Sequence, residues 1–211
     1  MAPYTVAPFH DHYFNFRLDL DADGQVNDFA RTTFVPTPIN TPTRTSLWVP
    51  KTQRYSKEGP ILGDHDAANG ALLRFVNPAT KNGLKQNPSL WLDAHHDEQS
   101  ILASTDAPQA RAAFTTAQFW ITRYKPDELW AAGLYPNLSH KDDGLPQFVA
   151  DQESITGQDL VTWYTIGFRH LTRPEDFPIL PTFWHDMTIR PAFFFDTDPA
   201  MTFNSGLEQQ Q

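Results

Sequence analysis

Cysteine is absent from the sequence of 211 residues. Its absence excludes disulfides, thiolate nucleophiles and cysteine-based zinc sites, and it fits a reducing compartment. A run of about 18 apolar residues, which a transmembrane helix requires, is also missing, so we expect no membrane partner. Basic residues are in the minority, with 16 Lys and Arg against 25 Asp and Glu and a net charge of −9. We therefore expect no nucleic-acid partner.

Targeting signals are missing from the printed ends of the sequence. The start, Met1-Ala2-Pro3-Tyr4, lacks the charged and apolar regions of a signal peptide. The end, Glu208-Gln209-Gln210-Gln211, differs from the Ser-Lys-Leu peroxisomal address. These observations leave the compartment open between the cytoplasm and the peroxisome.

Aromatic residues and prolines are abundant, with 16 Phe, 6 Trp and 18 Pro. Helical periodicity is scarce, and short β-prone runs alternate with proline-punctuated loops. This pattern predicts an all-β protein, an antiparallel β-sandwich in one unit over residues 1–211. We predict strands over residues 10–21, 72–78, 89–92, 119–124, 160–170 and 188–196, an extended loop leading to a short strand over 31–60, a tight hairpin turn at Asn82-Gly83, and a short helix or loop over 93–113.

The first predicted strand opens with His10-Asp11-His12. Side chains two residues apart on a strand share a face, so both imidazoles point the same way and suit one metal ion. Two histidines on one strand are more often plain surface residues. The spacing therefore needs a third ligand from elsewhere in the chain.

The same strand ends in Asp19-Leu20-Asp21, followed by Asp23-Gly24. This spacing is similar to the first half of a calcium-binding EF-hand loop, whose twelfth position is Glu. Here the twelfth position is Ala30 and the preceding segment is a strand, so we reject the EF-hand interpretation. A more general site for a hard cation is left, with solvated strand ends as the alternative.

The late strand runs from Asp159 to His170 and mirrors the first, which runs from histidine to aspartate. If the two strands are antiparallel, the histidines meet at one end and the aspartates at the other. The lengths from His12 to Asp19 and from Asp159 to His170 differ, and either a bulge at Gly167 or a bend of the strand would absorb the difference. The sequence thus predicts a nitrogen-rich site for copper or zinc and an oxygen-rich site for calcium or another hard cation.

Several segments resemble the copper-containing amine oxidases, in the order in which that family has them. They are Ala7–Asp19, Arg74–Asn82, Asp127–Asn137, Asp159–Pro178 with its Arg-Pro-Glu-Asp-x-Pro motif, and Arg190–Asp196. The resemblance covers nearly the whole chain. It implies a homodimer built on the large β-sandwich of the family's catalytic domain, of which this chain would be the C-terminal portion, truncated on its N-terminal side.

The resemblance also implies ligands. It makes His10, His12 and His170 copper ligands, and it implies a second site for calcium or manganese. At that second site the side chains of Asp19, Asp21 and Asp159 and the backbone carbonyls of Leu20 and Leu160 would coordinate the metal.

Enzymes of this family deaminate primary amines with oxygen, giving aldehyde, ammonia and hydrogen peroxide. They use topaquinone, made from a tyrosine within Asn-Tyr-Asp/Glu. None of the six tyrosines of this chain lies in that motif, and the family's catalytic aspartate lies further upstream than His10. We therefore expect the copper-binding part of a primary amine oxidase that is inactive in isolation, with a catalytically silent metal-binding β-domain or fragment as the alternative. The remaining histidines, His65, His95, His96, His140 and His185, are expected to be solvent-exposed, His185 with a partly buried position as an option.

Overall fold

A computed structural model describes residues 6–61, 71–94, 98–137 and 143–202. Within these ranges the chain forms strands β1 (His10–Asp19), β2 (Asp28–Pro38), β3 (Ser46–Tyr55), β4 (Gly59–Pro60), β5 (Ala71–Val76), β6 (Ser89–Ala94), β7 (Phe119–Arg123), β8 (Leu160–His170) and β9 (Met187–Ala192). Two short helices, α1 (Ala107–Arg111) and α2 (Leu145–Phe148), lie among them. No helix in the described ranges is both long and apolar enough to cross a membrane.

The strands form two antiparallel sheets. One has four strands in the order β1-β8-β7-β4, and the other has five in the order β3-β2-β5-β6-β9. Phe29, Phe75 and Leu92 of the five-stranded sheet belong to the same buried cluster as Ile121 and Tyr164 of the four-stranded sheet. The two sheets therefore pack face to face, which confirms the predicted antiparallel β-sandwich.

The opposite face of the four-stranded sheet is also covered. Trp120 and Trp163 form a second buried cluster there with Leu145 and Val149, which lie in and beside α2. Strand β8 is thus covered on both faces, as its nearly continuous burial shows. This explains why apolar and aromatic residues occur on both faces of the strand instead of alternating with charged ones.

Within residues 31–60 the predicted short strand is present as part of β3, but most of the predicted loop before it is strand β2, and the two strands form a long arm. Strand β2 pairs with β3 from Phe29 to Pro38 but with β5 only as far as Thr33. Beyond Thr33 no described residue pairs with that edge of β2, and a proline is tolerated at such an edge because it has no N–H to donate. The prolines that suggested a loop therefore lie in an exposed part of the sheet.

Two further predictions were wrong in detail. Strand β1 ends at Asp19, two residues before the predicted end. Strands β5 and β6 pair as a hairpin, but the connection is the whole segment 77–88 and not a tight turn at Asn82-Gly83. Within that segment the Asn82 N–H donates to the Gln86 carbonyl at 2.8 Å. The Asn77 side chain accepts the Ala79 N–H, so side chains organise the loop.

Candidate metal centres

The pairing of β1 with β8 positions both candidate sites. The register runs without interruption from His10 opposite His170 to Asp19 opposite Val161. Continued by two residues, it brings Asp21 opposite Asp159. The predicted bulge was therefore wrong, because the segments from His10 to Asp21 and from Asp159 to His170 have equal length.

Gly167 allows a second backbone segment to approach strand β8 and does not form a bulge. It lies opposite Tyr13, and its carbonyl accepts the Glu98 N–H at 2.9 Å. A Cβ atom at this position would lie 2.0 Å from the Glu98 carbonyl oxygen and 2.8 Å from the Tyr13 ring. Glycine is required because another backbone segment approaches the strand closely.

The three predicted copper ligands meet at one end of this strand pair. The ring centroid of His10 lies 4.5 Å from that of His12 and 5.0 Å from that of His170. One nitrogen from each ring lies within 4.8 Å of the other two. Nitrogens bound to one metal at about 2.0 Å lie roughly 3–4 Å apart, so a small closure of the rings is enough.

Hydrogen bonds orient two of the imidazoles. His10 Nδ1 lies 2.9 Å from the Pro8 carbonyl, which makes Nδ1 the donor and leaves Nε2 with a free lone pair. His170 Nε2 lies 3.1 Å from Asp176 Oδ2, which leaves Nδ1 for a metal. A carboxylate behind a ligating imidazole is a common support of metal sites, since it fixes the tautomer and the ring orientation.

Asp176 itself is held in the ionised form. The Arg173 backbone N–H, the Arg173 guanidinium and His170 lower the pKa of Asp176 to about 2. The side chain of His170 is only 4% exposed, so this pair is buried. Sequence reasoning quoted Asp176 as part of a motif but missed its support of His170, although its position six residues downstream, after Pro174, is a usable signal.

His12 packs against an apolar side chain. Its ring stacks on Phe168, its neighbour across the strand pair, with the centroids 4.6 Å apart. Burial lowers the pKa of His12, and the nearby His10 and His170 lower it further. A lowered pKa favours the neutral imidazole, which is the form that binds a metal.

The reverse side of the histidine strand is fixed by an ion pair. Arg169 donates from Nε and Nη2 to the two oxygens of Asp11 at 2.8 and 2.9 Å. Tyr13 donates its hydroxyl proton to the same carboxylate at 3.0 Å. A bidentate pair of this kind locks β1 against β8 directly behind the two histidines.

The three predicted carboxylate ligands meet at the other end of the strand pair. Oxygens of Asp19, Asp21 and Asp159 lie within 4.8 Å of one another. Oδ1 of Asp159 is buried without a hydrogen-bond partner. Burial raises the pKa of Asp159, and the charges of Asp19 and Asp21 raise it further. The three carboxylates repel one another, and one buried oxygen has no hydrogen-bond donor. Both features are typical of a carboxylate group that binds a cation.

The predicted carbonyl ligands lie beside these carboxylates in the chain. Leu20 follows the last residue of β1, and Leu160, which is 1% exposed, opens β8. Both leucine side chains pack into the core cluster, so their positions are anchored. The role of their carbonyls as metal ligands stays a prediction.

A third carboxylate group was missed by sequence reasoning. Glu58, Asp151 and Glu153 bring oxygens within 4.8 Å of one another. Lys125 Nζ lies 2.8 Å from Glu153 and 3.6 Å from Asp151, so this group already has a cation from the protein. Glu58 is far in sequence from Asp151 and Glu153, which are two residues apart in a loop, and no local pattern joins the three.

Of the remaining histidines, only His185 lies among the described residues, and it belongs to none of the three groups. His185 is exposed, as first expected, and stacks on Phe168 with the ring centroids 5.1 Å apart. His65, His95, His96 and His140 lie outside the described residues.

A family model and the sequences of known proteins both match this chain, and they indicate the same family. The model "Copper amine oxidase, enzyme domain" matches residues 1–210. A peroxisomal copper-containing amine oxidase of Arabidopsis thaliana, alpha 2, is 38% identical over 208 residues, covering 95% of this chain and 30% of that protein. A histamine oxidase of Arthrobacter globiformis is 32% identical over 206 residues, covering 97% of this chain and 30% of that protein. The chain thus spans about 30% of the length of the curated relatives it matches.

Solved structures agree. A copper-containing benzylamine oxidase from Hansenula polymorpha superposes with a TM-score of 0.84 at 28% identity, covering 93% of this chain and 31% of that chain. An Aspergillus nidulans amine oxidase shares the fold, with a TM-score of 0.78 at 19% identity over 92% of this chain and 27% of that chain. The resemblance noted in the sequence is confirmed, and the chain belongs to the copper amine oxidase family.

Proposed function

We propose that this chain provides the copper-binding part of a primary amine oxidase, with His10, His12 and His170 as the copper ligands. The observation that carries the proposal is the convergence of three imidazole nitrogens within 4.8 Å, from two strands in direct register. Imidazole donors suit copper, and a set of three leaves coordination positions open. The orientation of His10 by the Pro8 carbonyl and of His170 by Asp176 supports the same assignment.

The chain's own residues hold and orient the metal. Strand pairing places His10 opposite His170, the Phe168 ring limits the movement of His12, and Asp11 with Arg169 fixes the backbone behind them. Bound copper would supply a redox-active centre with positions open to water.

The proposed activity of the intact enzyme is oxidation of a primary amine by oxygen, with topaquinone as the organic cofactor and a homodimer as the assembly. Family membership supports this proposal. The relatives include a histamine oxidase and a benzylamine oxidase, so an amine with an aromatic or heteroaromatic group is the first substrate to assay.

We further propose that Asp19, Asp21 and Asp159, with the carbonyls of Leu20 and Leu160, bind calcium or manganese. Asp159 Oδ1 is buried without a hydrogen-bond partner and the pKa of that carboxyl group is raised, and both observations support cation binding there. Oxygen-only ligand sets favour hard cations over copper. The two sites therefore differ in donor chemistry as well as in position.

A second candidate function is a metal-binding β-domain without catalysis. It is favoured by one observation, that no tyrosine of this sequence lies within Asn-Tyr-Asp/Glu. Copper binding is common to both candidates, whereas amine-dependent peroxide formation and quinone staining separate them. For this chain we expect copper binding without peroxide.

The copper assignment is tested by titrating the chain with Cu(II) and recording the EPR spectrum. We expect one tightly bound copper whose spectrum shows nitrogen ligands. In His10→Ala the affinity should fall at least tenfold, because one of three ligands is lost. His10 is exposed, so the substitution should leave the fold intact.

His185→Ala is the matched control, since His185 is an exposed histidine near the site that lies outside the ligand group. Its copper affinity should stay within about twofold of the parent. Equal losses in His10→Ala and His185→Ala, or a spectrum without nitrogen ligands, would contradict the copper assignment.

A further inference from the structure

Three arginines lie in one row across the outer face of the five-stranded sheet. Cross-strand pairing joins Arg54 to Ala30, Ala30 to Arg74, Arg74 to Trp91, and Trp91 to Arg190. Their neighbours along the strands, such as Phe29 and Phe75, point into the core, so this row faces away from it. The row is on the other sheet from both candidate metal centres.

A cavity of about 220 Å³ opens between Arg54 and Arg74. Ala30 is part of its lining, and the absence of a larger side chain there leaves the space free. Thr52, Gln86 and Asn87 add polar groups to the wall, and Phe193 closes one side. The volume is below the range of pockets for drug-sized molecules and suits a small ion or a single functional group.

The three arginines differ in how their charge is balanced. Arg54 forms an ion pair with Asp28, and Arg190 lies 3.5 Å from Asp93. Arg74 has no carboxylate partner among the residues that the structure describes, and its Nε is buried without a hydrogen-bond acceptor. Its guanidinium lies 5.6 Å from the ring centroids of both Trp91 and Phe193, which hold it in place.

An unsatisfied charged donor inside a cavity is unfavourable unless an acceptor is supplied. Burial lowers the pKa of Arg74, and the charge of Arg54 lowers it further, so the site has an excess of positive charge. Nδ2 of Asn87 donates to the Asn77 and Thr80 carbonyls, so both of its hydrogens are already used and neither is left for an anion. What the cavity lacks is an oxygen acceptor with a negative charge.

We propose that this cavity binds a small oxyanion, a carboxylate or a phosphate group, with Arg74 as the main ligand and Arg54 beside it. The planar guanidinium presents paired N–H donors that match the oxygens of either group. The two aromatic rings fix the orientation of the guanidinium, so little side-chain entropy is lost when the anion binds. The site does not depend on the proposed copper function.

The test uses the folded 211-residue chain and arginine Nε–H NMR resonances. Sodium phosphate and sodium acetate are titrated separately at constant ionic strength. We expect a saturable shift of the Arg74 resonance with at least one of the two anions, and the stronger binder identifies the preferred class. In Arg74→Gln the affinity, measured by calorimetry, should fall at least tenfold.

Arg190→Gln is the matched control, because it removes the same charge from the same row outside the cavity. Its affinity should change less than twofold. Arg74→Lys keeps the charge but loses the planar donor pair, so it should bind several-fold more weakly than the parent while unfolding at a similar temperature. The proposal is overturned if no anion gives a saturable shift, or if Arg190→Gln loses as much affinity as Arg74→Gln.

Discussion

Glu58 is a buried carboxyl whose two oxygens have different surroundings. Oε1 accepts the Arg123 N–H at 2.8 Å, whereas Oε2 is buried without a partner. The residue is 3% exposed, and burial raises its pKa while the charge of Lys125 opposes the rise. The folded state therefore holds this proton more tightly than the unfolded chain does. The contribution of Glu58 to stability is therefore greatest below the ordinary pKa of 4.5 and is lost as the pH rises through the raised pKa of the folded state.

Because the pKa of Glu58 is raised in the folded state, we predict that Glu58→Gln raises the free energy of unfolding at pH 7. The amide keeps the acceptor for the Arg123 N–H, removes the buried charge and can donate to Asp151. A gain of roughly 1 kcal/mol is the size expected when a buried unsatisfied polar atom is relieved. Urea unfolding at pH 7 and pH 4 measures it, and the gain should vanish at the lower pH.

Glu153→Gln is the control for this prediction. Glu153 is partly exposed and lies 2.8 Å from Lys125 and 3.1 Å from Arg123, so its charge is compensated. Its replacement should leave stability unchanged or lower it slightly at pH 7. A loss of stability in Glu58→Gln at pH 7 would show that attraction to Lys125 outweighs the burial of the charge.

At the scale of the element, strand β8 depends on Gly167. A Cβ atom there would collide with the Glu98 carbonyl, and backbone cannot move aside as a flexible side chain does. We predict that Gly167→Ala lowers the free energy of unfolding by about 3 kcal/mol, the upper end of overpacking effects. Amide exchange should accelerate at Glu98, whose N–H donates to the Gly167 carbonyl.

Gly157→Ala separates this collision from a backbone effect. Gly157 has φ of +60° and only Val26 within 4 Å of an added methyl, so alanine there is strained but not crowded. Its cost should be about 1 kcal/mol, without faster exchange at Glu98. Equal exchange rates at Glu98 in the two variants would contradict the close-approach explanation of Gly167.

The same elements show what could be predicted from the sequence. Strand parity and antiparallel pairing were enough to bring His10 and His12 to His170, because the period of a strand is fixed. Asp176 was missed because a turn, and not a strand period, brings it to His170. The β2–β3 arm was missed because its prolines indicated a loop, whereas the edge of a sheet also tolerates proline. The Arg74 cavity depends on register between strands distant in sequence, which no local pattern encodes.

At the scale of the whole molecule, β1 and β8 connect two sites of different chemistry. Strand β1 has 10 residues, which at about 3.3 Å per residue separates its ends by roughly 30 Å. The histidines and the aspartates also differ in strand parity, so the two sites lie on opposite faces of the four-stranded sheet. Charges this far apart are screened at physiological ionic strength. Binding at one site should therefore be nearly independent of binding at the other.

We predict that Ca²⁺ raises the melting temperature of the chain through Asp19, Asp21 and Asp159, since a ligand that binds only the folded state stabilises it. Asp159→Asn should weaken calcium binding at least tenfold and leave the copper EPR spectrum unchanged. Asp23→Asn is the matched control, because Asp23 belongs to the Asp-x-Asp-x-Asp run but accepts the Thr80 hydroxyl and lies outside the carboxylate group. An EF-hand-like loop would need Asp23 as a ligand, so a calcium loss in Asp23→Asn as large as in Asp159→Asn would favour that loop over a site built across two strands.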